Sequence, residues 1–404
     1  MLCSPAIAQE NYTLQKALQT AKANNPYLKT QQLNIGIAQA DTITAKLFPN
    51  PFLENEQYYL TNPNNFAPGT DLLNGQNIQM LFKYMQPIPI AGQRKNQIEL
   101  ARKNVSVSNY SYAELERNIF SDVASKWLEV WTAQKKLDII QIAKSNIDSL
   151  VLTNQNRYKN QVITQTDLYR TELLAKQYDI QLKNALQELT NKLNELKFLL
   201  GVDESIYIDQ TDNLMFQTIP QVDSLLQYSL KNRSDVQLSN SLIDATEINI
   251  KLQKSQSIPQ PQVGFVYSPQ NGVSYLGPSI GLSLPLFDRN QGEIKKSYLL
   301  KEQADKQLIA VQNQIQTEIS VAFANYQLQQ QNLESFNVLL QQSQTILDNV
   351  KYAYLKGGTT IIDFLEAQRS WLETQQQYYD AMQLYRQSYI QLLYATGLIN
   401  QLAQ

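Results

Sequence analysis

The segments YKNQVITQTD, residues 158–167, and YLKGGTTIID, residues 354–363, lie 196 positions apart and share their first tyrosine and last aspartate. The first lies inside residues 93–200, which contain neither glycine nor proline, and the second separates two more such stretches, 293–356 and 359–396. These stretches are rich in helix-favouring residues. Their apolar side chains recur every three or four positions, as in helices packed on neighbours. The two segments are therefore predicted to be turns at which pairs of long helices reverse direction.

The offset of 196 also holds far from the turns. It relates Pro89 to Pro285, Ile119 to Ile315, and Gly201 to Gly397. A constant offset leaves little room for insertions, as expected when helix register must be kept. We predict an internal duplication with repeats over 9–210 and 211–404. Long helices are predicted over 93–155, 166–200, 289–355 and 362–397.

Composition narrows the class of function. The chain has 404 residues, a formal net charge of -2, no histidine and one cysteine, Cys3. A near-neutral charge argues against nucleic acid as a partner. Histidine is the commonest general base and metal ligand, and two cysteines are needed for an internal disulfide. We therefore predict neither an enzyme nor a bound cofactor or metal site.

The first residues, MLCSPAIAQE, resemble the end of an export signal. Ala6-Ile7-Ala8 fits an A-x-A cleavage site, so residues 1–8 are predicted to be a signal-peptide remnant that is removed together with Cys3. The sequence contains no run of eighteen apolar residues that could form a transmembrane helix. A membrane location would then require a closed β-barrel.

Four short segments are predicted to be strands, over about 51–62, 76–88, 260–269 and 274–287. Apolar residues alternate with polar ones from Ile78 to Tyr84, and again from Ile280. This period of two fits barrel strands with one face towards lipid, and equally well a pair of soluble hairpins. Four strands leave two open sheet edges, whereas membrane barrels have eight strands or more. Three chains would supply twelve strands, which indicates a homotrimer.

Prolines mark each boundary between the helical and the strand-like segments. They are predicted to act as swivels, because proline ends helices and is poorly tolerated within sheets. The positions are Pro49, Pro51, Pro87, Pro89, Pro259, Pro261 and Pro285. Tyr58, Tyr59 and Tyr84 are candidates for an aromatic girdle at a membrane surface.

Four motifs in order, together with the duplication, resemble the TolC family of outer-membrane efflux channels. They are NNPYLKTQQLNIGIAQADTITAKLFPNP, QPIPIAGQRKNQIELA, LSLPLFDRNQGEI and YLKGGTTIIDFLEAQRSWLETQQQYYDA, and the second and third look most like the heavy-metal branch of CzcC and CusC type. The resemblance implies a mainly α protein with a small β part. Its long antiparallel helical hairpins would form a periplasmic helical barrel, and its four strands would contribute to a trimeric twelve-stranded transmembrane barrel. The channel would lie in the outer membrane of a Gram-negative bacterium and work with a periplasmic adaptor and an inner-membrane pump of RND type.

In this family the two turns form the periplasmic tip, which contacts the adaptor and closes the channel. The resemblance makes Asn160, Gln161, Gly357, Gly358 and Thr359 candidate adaptor contacts. Gly357 and Gly358 would permit a positive φ, and Asn160 would tolerate one in the first turn.

Asp363 and Glu366 match acidic positions of the family's constriction, and Tyr354 matches a tyrosine of the gate. Thr359 stands where the family's prototype has an arginine. Asp167 and Arg170 are the candidate gate residues of the first repeat. Residue patterns alone favour a simpler interpretation, in which Asp363 and Glu366 are ordinary solvated charges or Asp363 caps its helix.

Two other classes of protein remain open at this point. A soluble periplasmic coiled-coil scaffold or adaptor would explain the helices without a membrane. A helical enzyme would need a polar catalytic cluster, and the sequence shows none. Within the channel family, the substrates could be heavy-metal cations, drugs or secreted peptides.

Overall fold

The structure is a computed structural model that describes residues 11–209, 211, 221–270 and 272–403. The predicted signal remnant over 1–8, with Cys3, lies outside these residues. The eight helices of the described residues are α1 (Leu14–Asn24), α2 (Pro26–Lys46), α3 (Gln93–Lys159), α4 (Gln165–Leu200), α5 (Val222–Asn232), α6 (Ser234–Gln256), α7 (Gln291–Lys356) and α8 (Ile361–Thr396). Their strands are β1 (Asn11–Tyr12), β2 (Phe52–Tyr59), β3 (Ile78–Pro87), β4 (Tyr207–Ile208), β5 (Gln262–Gln270) and β6 (Val273–Gly281). Short 3-10 turns cover Pro63–Asn65, Gly75–Asn77 and Ile399–Ala403.

The predicted fold class is confirmed: long helical hairpins dominate, and a single four-stranded sheet accompanies them. The strand predicted over 274–287 is too long at its end. Strand β6 stops at Gly281, opposite Gln262, the first residue of its partner β5. The residue before Gln262 is Pro261, which has no N–H to donate to a longer strand pair. A second, two-stranded parallel sheet of β1 and β4 had no signal in the sequence.

The chain divides into two compact units. One, here the hairpin unit, comprises Met1–Gln32, Ser111–Gln237 and Val311–Gln404; the other, here the sheet unit, comprises Leu33–Tyr110 and Leu238–Ala310. Each unit takes segments from both halves of the chain. The predicted division into repeats over 9–210 and 211–404 therefore describes sequence similarity rather than compact bodies.

Buried tryptophans mark the two apolar clusters of the hairpin unit. Trp127 is fully buried in the first cluster, where its indole N–H donates to the Tyr12 carbonyl oxygen at 3.0 Å. Trp371 lies in the second cluster and donates to Gln344 at 2.7 Å. A buried indole needs such an acceptor, so these residues serve packing. Among the described residues, no helix combines the length and the apolar character needed to cross a membrane.

The return helices α4 and α8 begin and end on the same signals. Thr164 and Thr360 cap their starts, and each exchanges hydrogen bonds with the aspartate three residues later in a capping box. Gly201 and Gly397 end them with φ of 66° and 75°, a left-handed conformation that costs glycine little. Both helices are consequently 36 residues long.

The four-stranded sheet of the sheet unit is antiparallel in the order β2-β3-β5-β6, so that β2 and β6 each leave one edge open. One face, here the aromatic face, carries the ring pairs Tyr84–Phe265 and Phe82–Tyr267, with centroids 5.4 and 6.4 Å apart. This amphipathic sheet presents a large apolar surface that is not covered within one chain.

The opposite face, here the polar face, carries Glu54, Glu56 and Lys83, and the ammonium group of Lys83 contacts both carboxylates. Tyr58 also lies on this face, where its hydroxyl donates to Glu56 at 2.5 Å. The three tyrosines Tyr58, Tyr59 and Tyr84 therefore cannot form one girdle. Consecutive strand residues point to opposite faces, and only Tyr59 and Tyr84 share the aromatic one.

The predicted swivel prolines lie at the ends of elements. Pro87 is the last residue of β3, and the other six lie outside helices and strands. Two further prolines lie within strands. Pro278 is on the edge strand β6, and Pro269 lies beyond the part of β5 that pairs with β3, so neither removes a hydrogen bond from the centre of the sheet. A swivelling role for the seven boundary prolines stays a prediction.

Gly264 permits a close approach of β5 to β3. A Cβ atom at this position would lie 1.7 Å from the Tyr84 carbonyl oxygen on β3. Backbone cannot yield as a flexible side chain can, so any larger residue must separate β3 from β5.

Replacing Gly264 by alanine is expected to disrupt the sheet. The yield of folded protein that resists proteolysis should fall sharply, because pairing of β3 with β5 would be lost. The matched control is Gly277→Ala, also on the polar face, where a Cβ atom would have no neighbour within 4 Å. Equal yields of the two variants would contradict this account.

Candidate functional site: the paired helical turns

The two turns that join the long helices have the same backbone hydrogen bonds. In the first, the amides of Gln161 and Val162 donate to Tyr158 and Arg157 at 2.9 and 2.8 Å. In the second, Gly357 and Gly358 donate to Tyr354 and Ala353 at 3.1 and 2.8 Å. Every pair is related by the offset of 196. This pattern satisfies the last carbonyls of α3 and α7 in the same way.

Only one residue in each turn adopts the left-handed conformation. These are Gln161, with φ of 58°, and Gly357, with φ of 80°. The prediction that Asn160 would take this role is wrong, and so is the prediction of a positive φ for Gly358. The offset shows the reason, since Gln161 rather than Asn160 is the counterpart of Gly357. A side chain at such a φ costs about 1–2 kcal/mol, so the first turn is strained where the second is not.

The two turns lie side by side and line one cleft of about 570 Å³. Five of the predicted site residues line it, namely Gln161, Asp167, Tyr354, Gly357 and Thr359. The other five lie outside this lining, on the turns or in the first two turns of the return helices. They are Asn160, Arg170, Gly358, Asp363 and Glu366. Exposed apolar side chains of Val162 and Ile362 complete the cleft.

Asp363 caps helix α8. Its carboxylate accepts from the hydroxyls of Thr359 and Thr360, both at 2.7 Å, and from the Thr360 amide at 3.1 Å. These hydrogen bonds, from Thr359 first and then Thr360, hold the pKa of Asp363 below its ordinary value of 3.8. Folding lowers this pKa, so the carboxylate stabilises the folded protein fully at pH values above 3.8. This contribution is lost as the pH falls through the lowered pKa of the folded state. At neutral pH, Asp363 is an exposed anion as well as a cap.

Asp167 repeats this arrangement in the first turn, where it accepts from the Thr164 hydroxyl at 2.8 Å. Arg170 lies one turn further along α4, with its guanidinium 3.9 Å from the Asp167 carboxylate. A partly exposed pair at that distance contributes little to stability. Glu366 is exposed on α8, one turn after Asp363.

A buried chain of hydrogen bonds links the two hairpins behind the cleft. The Tyr354 hydroxyl donates to the Asn154 side-chain oxygen at 2.7 Å, and the Asn154 amide donates to the Thr171 hydroxyl at 2.9 Å. Tyr354 is only 4% exposed, and its ring packs against Phe364 with centroids 5.4 Å apart. The guanidinium of Arg157 covers the ring 4.8 Å from its centroid. The Tyr354 hydroxyl thus donates its hydrogen bond to a residue of its own chain.

Sequence reasoning missed Asn154, Thr171 and Arg157, although a signal was available. At the offset of 196 their counterparts are Val350, Ala367 and Ala353, none of which can form this polar contact. A polar residue paired with an apolar counterpart in an otherwise regular repeat is such a signal. Within the described residues, no group of three or more His, Cys, Asp or Glu side chains is placed to hold a metal ion.

Replacing Gly357 by alanine is expected to lower stability by about 1–2 kcal/mol, because alanine is strained at a positive φ. The thermal midpoint of the helical circular-dichroism signal would report it. Gly358→Ala is the matched control, since its φ is ordinary and the new Cβ would have only normal contacts. Gln161→Gly should raise the midpoint, and no difference between the two glycine positions would refute the assignment.

Replacing Tyr354 by phenylalanine leaves the buried Asn154 oxygen without its donor, which should cost about 1–3 kcal/mol. Tyr158→Phe is the control, because this repeat counterpart is 39% exposed and should change stability by less than about 0.5 kcal/mol. The double variant Asn154→Val with Tyr354→Phe removes both partners and should regain much of the loss. If the double variant were as unstable as the sum of the single ones, the two side chains would not be coupled.

Comparison with known proteins places these turns in a family. A family model described as outer membrane efflux protein matches residues 17–202 and 225–398. The cobalt-zinc-cadmium resistance protein CzcC of Cupriavidus metallidurans is 22% identical over 386 residues, which cover 93% of this chain and 87% of that protein. The antibiotic efflux pump outer membrane protein ArpC of Pseudomonas putida is 23% identical over 384 residues, which cover 90% and 78%. A crystal structure of CusC superimposes with a TM-score of 0.77 at 18% identity, covering 96% of this chain and 92% of that one.

These matches confirm the resemblance that four sequence motifs indicated, including the similarity to heavy-metal members of the family. They also confirm a passive channel rather than an enzyme, and an outer-membrane location with periplasmic helices. The alternatives of a soluble scaffold and a helical enzyme are thereby set aside. With most of its length matched in two segments, the chain belongs to the outer membrane efflux protein family.

Proposed function

We propose that three copies of this chain form the exit duct of a tripartite efflux system. Their sheets would close a twelve-stranded barrel in the outer membrane, and their hairpins would line a periplasmic passage. The open-edged amphipathic sheet carries this proposal. Unpaired backbone groups at a sheet edge are too costly in lipid, so β2 and β6 need partners from neighbouring copies. Lipid would then cover the aromatic face.

The paired turns would dock the periplasmic adaptor, which couples the duct to an inner-membrane pump of RND type. Both turns contribute to one cleft, and its exposed Val162 and Ile362 offer apolar anchors among polar neighbours. Buried apolar anchors with a polar rim are typical of protein interfaces. The pump would supply the energy, and this subunit would provide the path.

The acidic residues of the second turn would favour cations at the entrance. Asp363 is exposed and anionic, and Glu366 is exposed one turn later. Three copies would arrange these carboxylates as two rings, which concentrate cations in a narrow passage. Tyr354, Asp167 and Arg170 would shape the same entrance from behind, through the contacts described above.

The proposed substrates are heavy-metal cations. The similarity to CzcC, whose name records cobalt, zinc and cadmium, supports this choice together with the acidic entrance. The similarity to ArpC, named for antibiotic efflux, supports a drug channel as the second candidate. Sequence identity is nearly equal for the two, so the entrance charges favour the metal substrate.

Deleting the gene should sensitise the host to salts of zinc, cobalt, cadmium, copper or silver more than to a panel of drugs. Growth inhibition would measure this, and the wild-type gene should restore resistance. The double variant Asp363→Asn with Glu366→Gln should restore metal resistance less well, because it removes both charges. The side-chain amide oxygen introduced at position 363 can still accept the capping hydrogen bonds, so the start of α8 remains capped.

Thr360→Ala is the matched control for the charges. It removes the capping hydroxyl, at a cost of about 1 kcal/mol, but leaves both carboxylates in place. It should therefore restore metal resistance fully. Sensitivity to drugs alone would favour the second candidate, and full rescue by the neutral double variant would exclude a role for the acidic rings.

A further inference from the structure

Basic residues are concentrated where the helices of the sheet unit meet the strands. The residues in question, here the junction collar, are Lys46, Arg94, Lys95, Lys251, Lys254, Arg289, Lys295 and Lys296. The same connecting stretches, 46–51, 88–98, 250–261 and 282–297, contain only two acidic residues, Asp288 and Glu293. Over the whole chain, acidic residues slightly outnumber basic ones, 36 to 34. The collar is therefore net positive in a chain whose overall charge is slightly negative.

Helix stability accounts for only part of the collar. Lys46 and Lys254 lie in the last turns of α2 and α6, where the helix dipole favours a cation, but the start of α3 is different. The first turn of α3 contains no acidic residue and instead carries Arg94 and Lys95. Cations at a helix start are disfavoured by the helix dipole, which is why α4 and α8 begin with an aspartate in the first turn. Arg94 has a local role, since its Nε donates to the last carbonyl of α2 at 3.1 Å. Lys95 is exposed and opposes the dipole.

Large apolar side chains are exposed in the same connecting stretches. Phe287 is 92% exposed, and Leu47, Phe48 and Ile90 are each more than half exposed. The guanidinium of Arg94 lies 5.5 Å from the centre of the Phe48 ring. Apolar side chains next to cations, at the end of an apolar sheet, are the chemistry of a membrane–water boundary.

We propose that the junction collar binds the anionic headgroups of phospholipids at the periplasmic surface of the membrane. Its exposed apolar residues would enter the acyl boundary, and its ammonium and guanidinium groups would contact lipid phosphates. Near an anionic surface, each basic residue is worth about a fivefold change in binding. The collar rests on the proposed membrane insertion of the sheet, and it would fix the height of that sheet in the bilayer.

The test uses the full-length protein in nanodiscs of phosphatidylglycerol and phosphatidylethanolamine. After mild detergent extraction, mass spectrometry measures the ratio of the two lipids that remain bound. The wild type should be enriched in phosphatidylglycerol over the bulk mixture. In the double variant Lys95→Gln with Lys295→Gln, this enrichment should be at least about fivefold smaller.

The matched control is Arg102→Gln with Lys306→Gln. It removes two exposed cations from the same helices, α3 and α7, about two to three turns further from the strands. This control should keep the enrichment. The proposal that the collar binds lipid headgroups would be overturned by either of two results. One is no enrichment of phosphatidylglycerol in the wild type, and the other is an equal loss of enrichment in both double variants. A collar variant that loses adaptor binding but keeps its lipid ratio would also overturn it, in favour of a protein partner.

Failure of the proposed channel would look different. A chain that does not insert into nanodiscs, or inserts without forming oligomers, contradicts the duct itself. A chain that inserts as a trimer and shows no preference between the two lipids leaves the duct intact and removes only the collar.

Discussion

Every long helix must satisfy the backbone groups left over at its two ends, and this chain solves the problem twice in the same way. The return helices start on a threonine–aspartate capping box and stop on a left-handed glycine. A side chain from the helix pairs α1–α2 and α5–α6 then donates to the last turn. Asn25 reaches the Leu199 carbonyl at 2.8 Å, and Arg233 reaches the Ala395 carbonyl from the equivalent place. Helix length, turn position and core packing all depend on these ends.

The two copies keep the backbone solution and differ in the chemistry that supports it. Asn25 is a neutral amide that also accepts from the amides of Tyr27 and Leu28 at the start of α2. Arg233, 2% exposed, instead pairs with Asp235 and Glu318, both at 2.7 Å. A buried guanidinium is tolerated only when carboxylates and carbonyls surround it. The second copy has therefore acquired a buried ionic cluster that links α6, α7 and α8.

Local patterns predicted the helices, the four main strands and the two turns, because each is governed by nearby residues. Contacts between distant residues were not predictable in that way. Asn154 and Tyr354 are 200 residues apart, and nothing near either one indicates the other. The choice between Asn160 and Gln161 was recoverable, since the offset pairs Gln161 with Gly357. The opposite faces of Tyr58 and Tyr59 were recoverable too, from strand alternation alone.

The hydrogen bond between Tyr354 and Asn154 also limits the symmetry of any ring built from this chain. Its counterpart would join Tyr158 to Val350, and the valine side chain offers no acceptor. In a ring of three chains and six hairpins, the contact would recur only at every second boundary between neighbouring hairpins. Such a ring has three-fold rather than six-fold symmetry. The two hairpins of one chain are joined by this hydrogen bond, and hairpins of neighbouring chains are not.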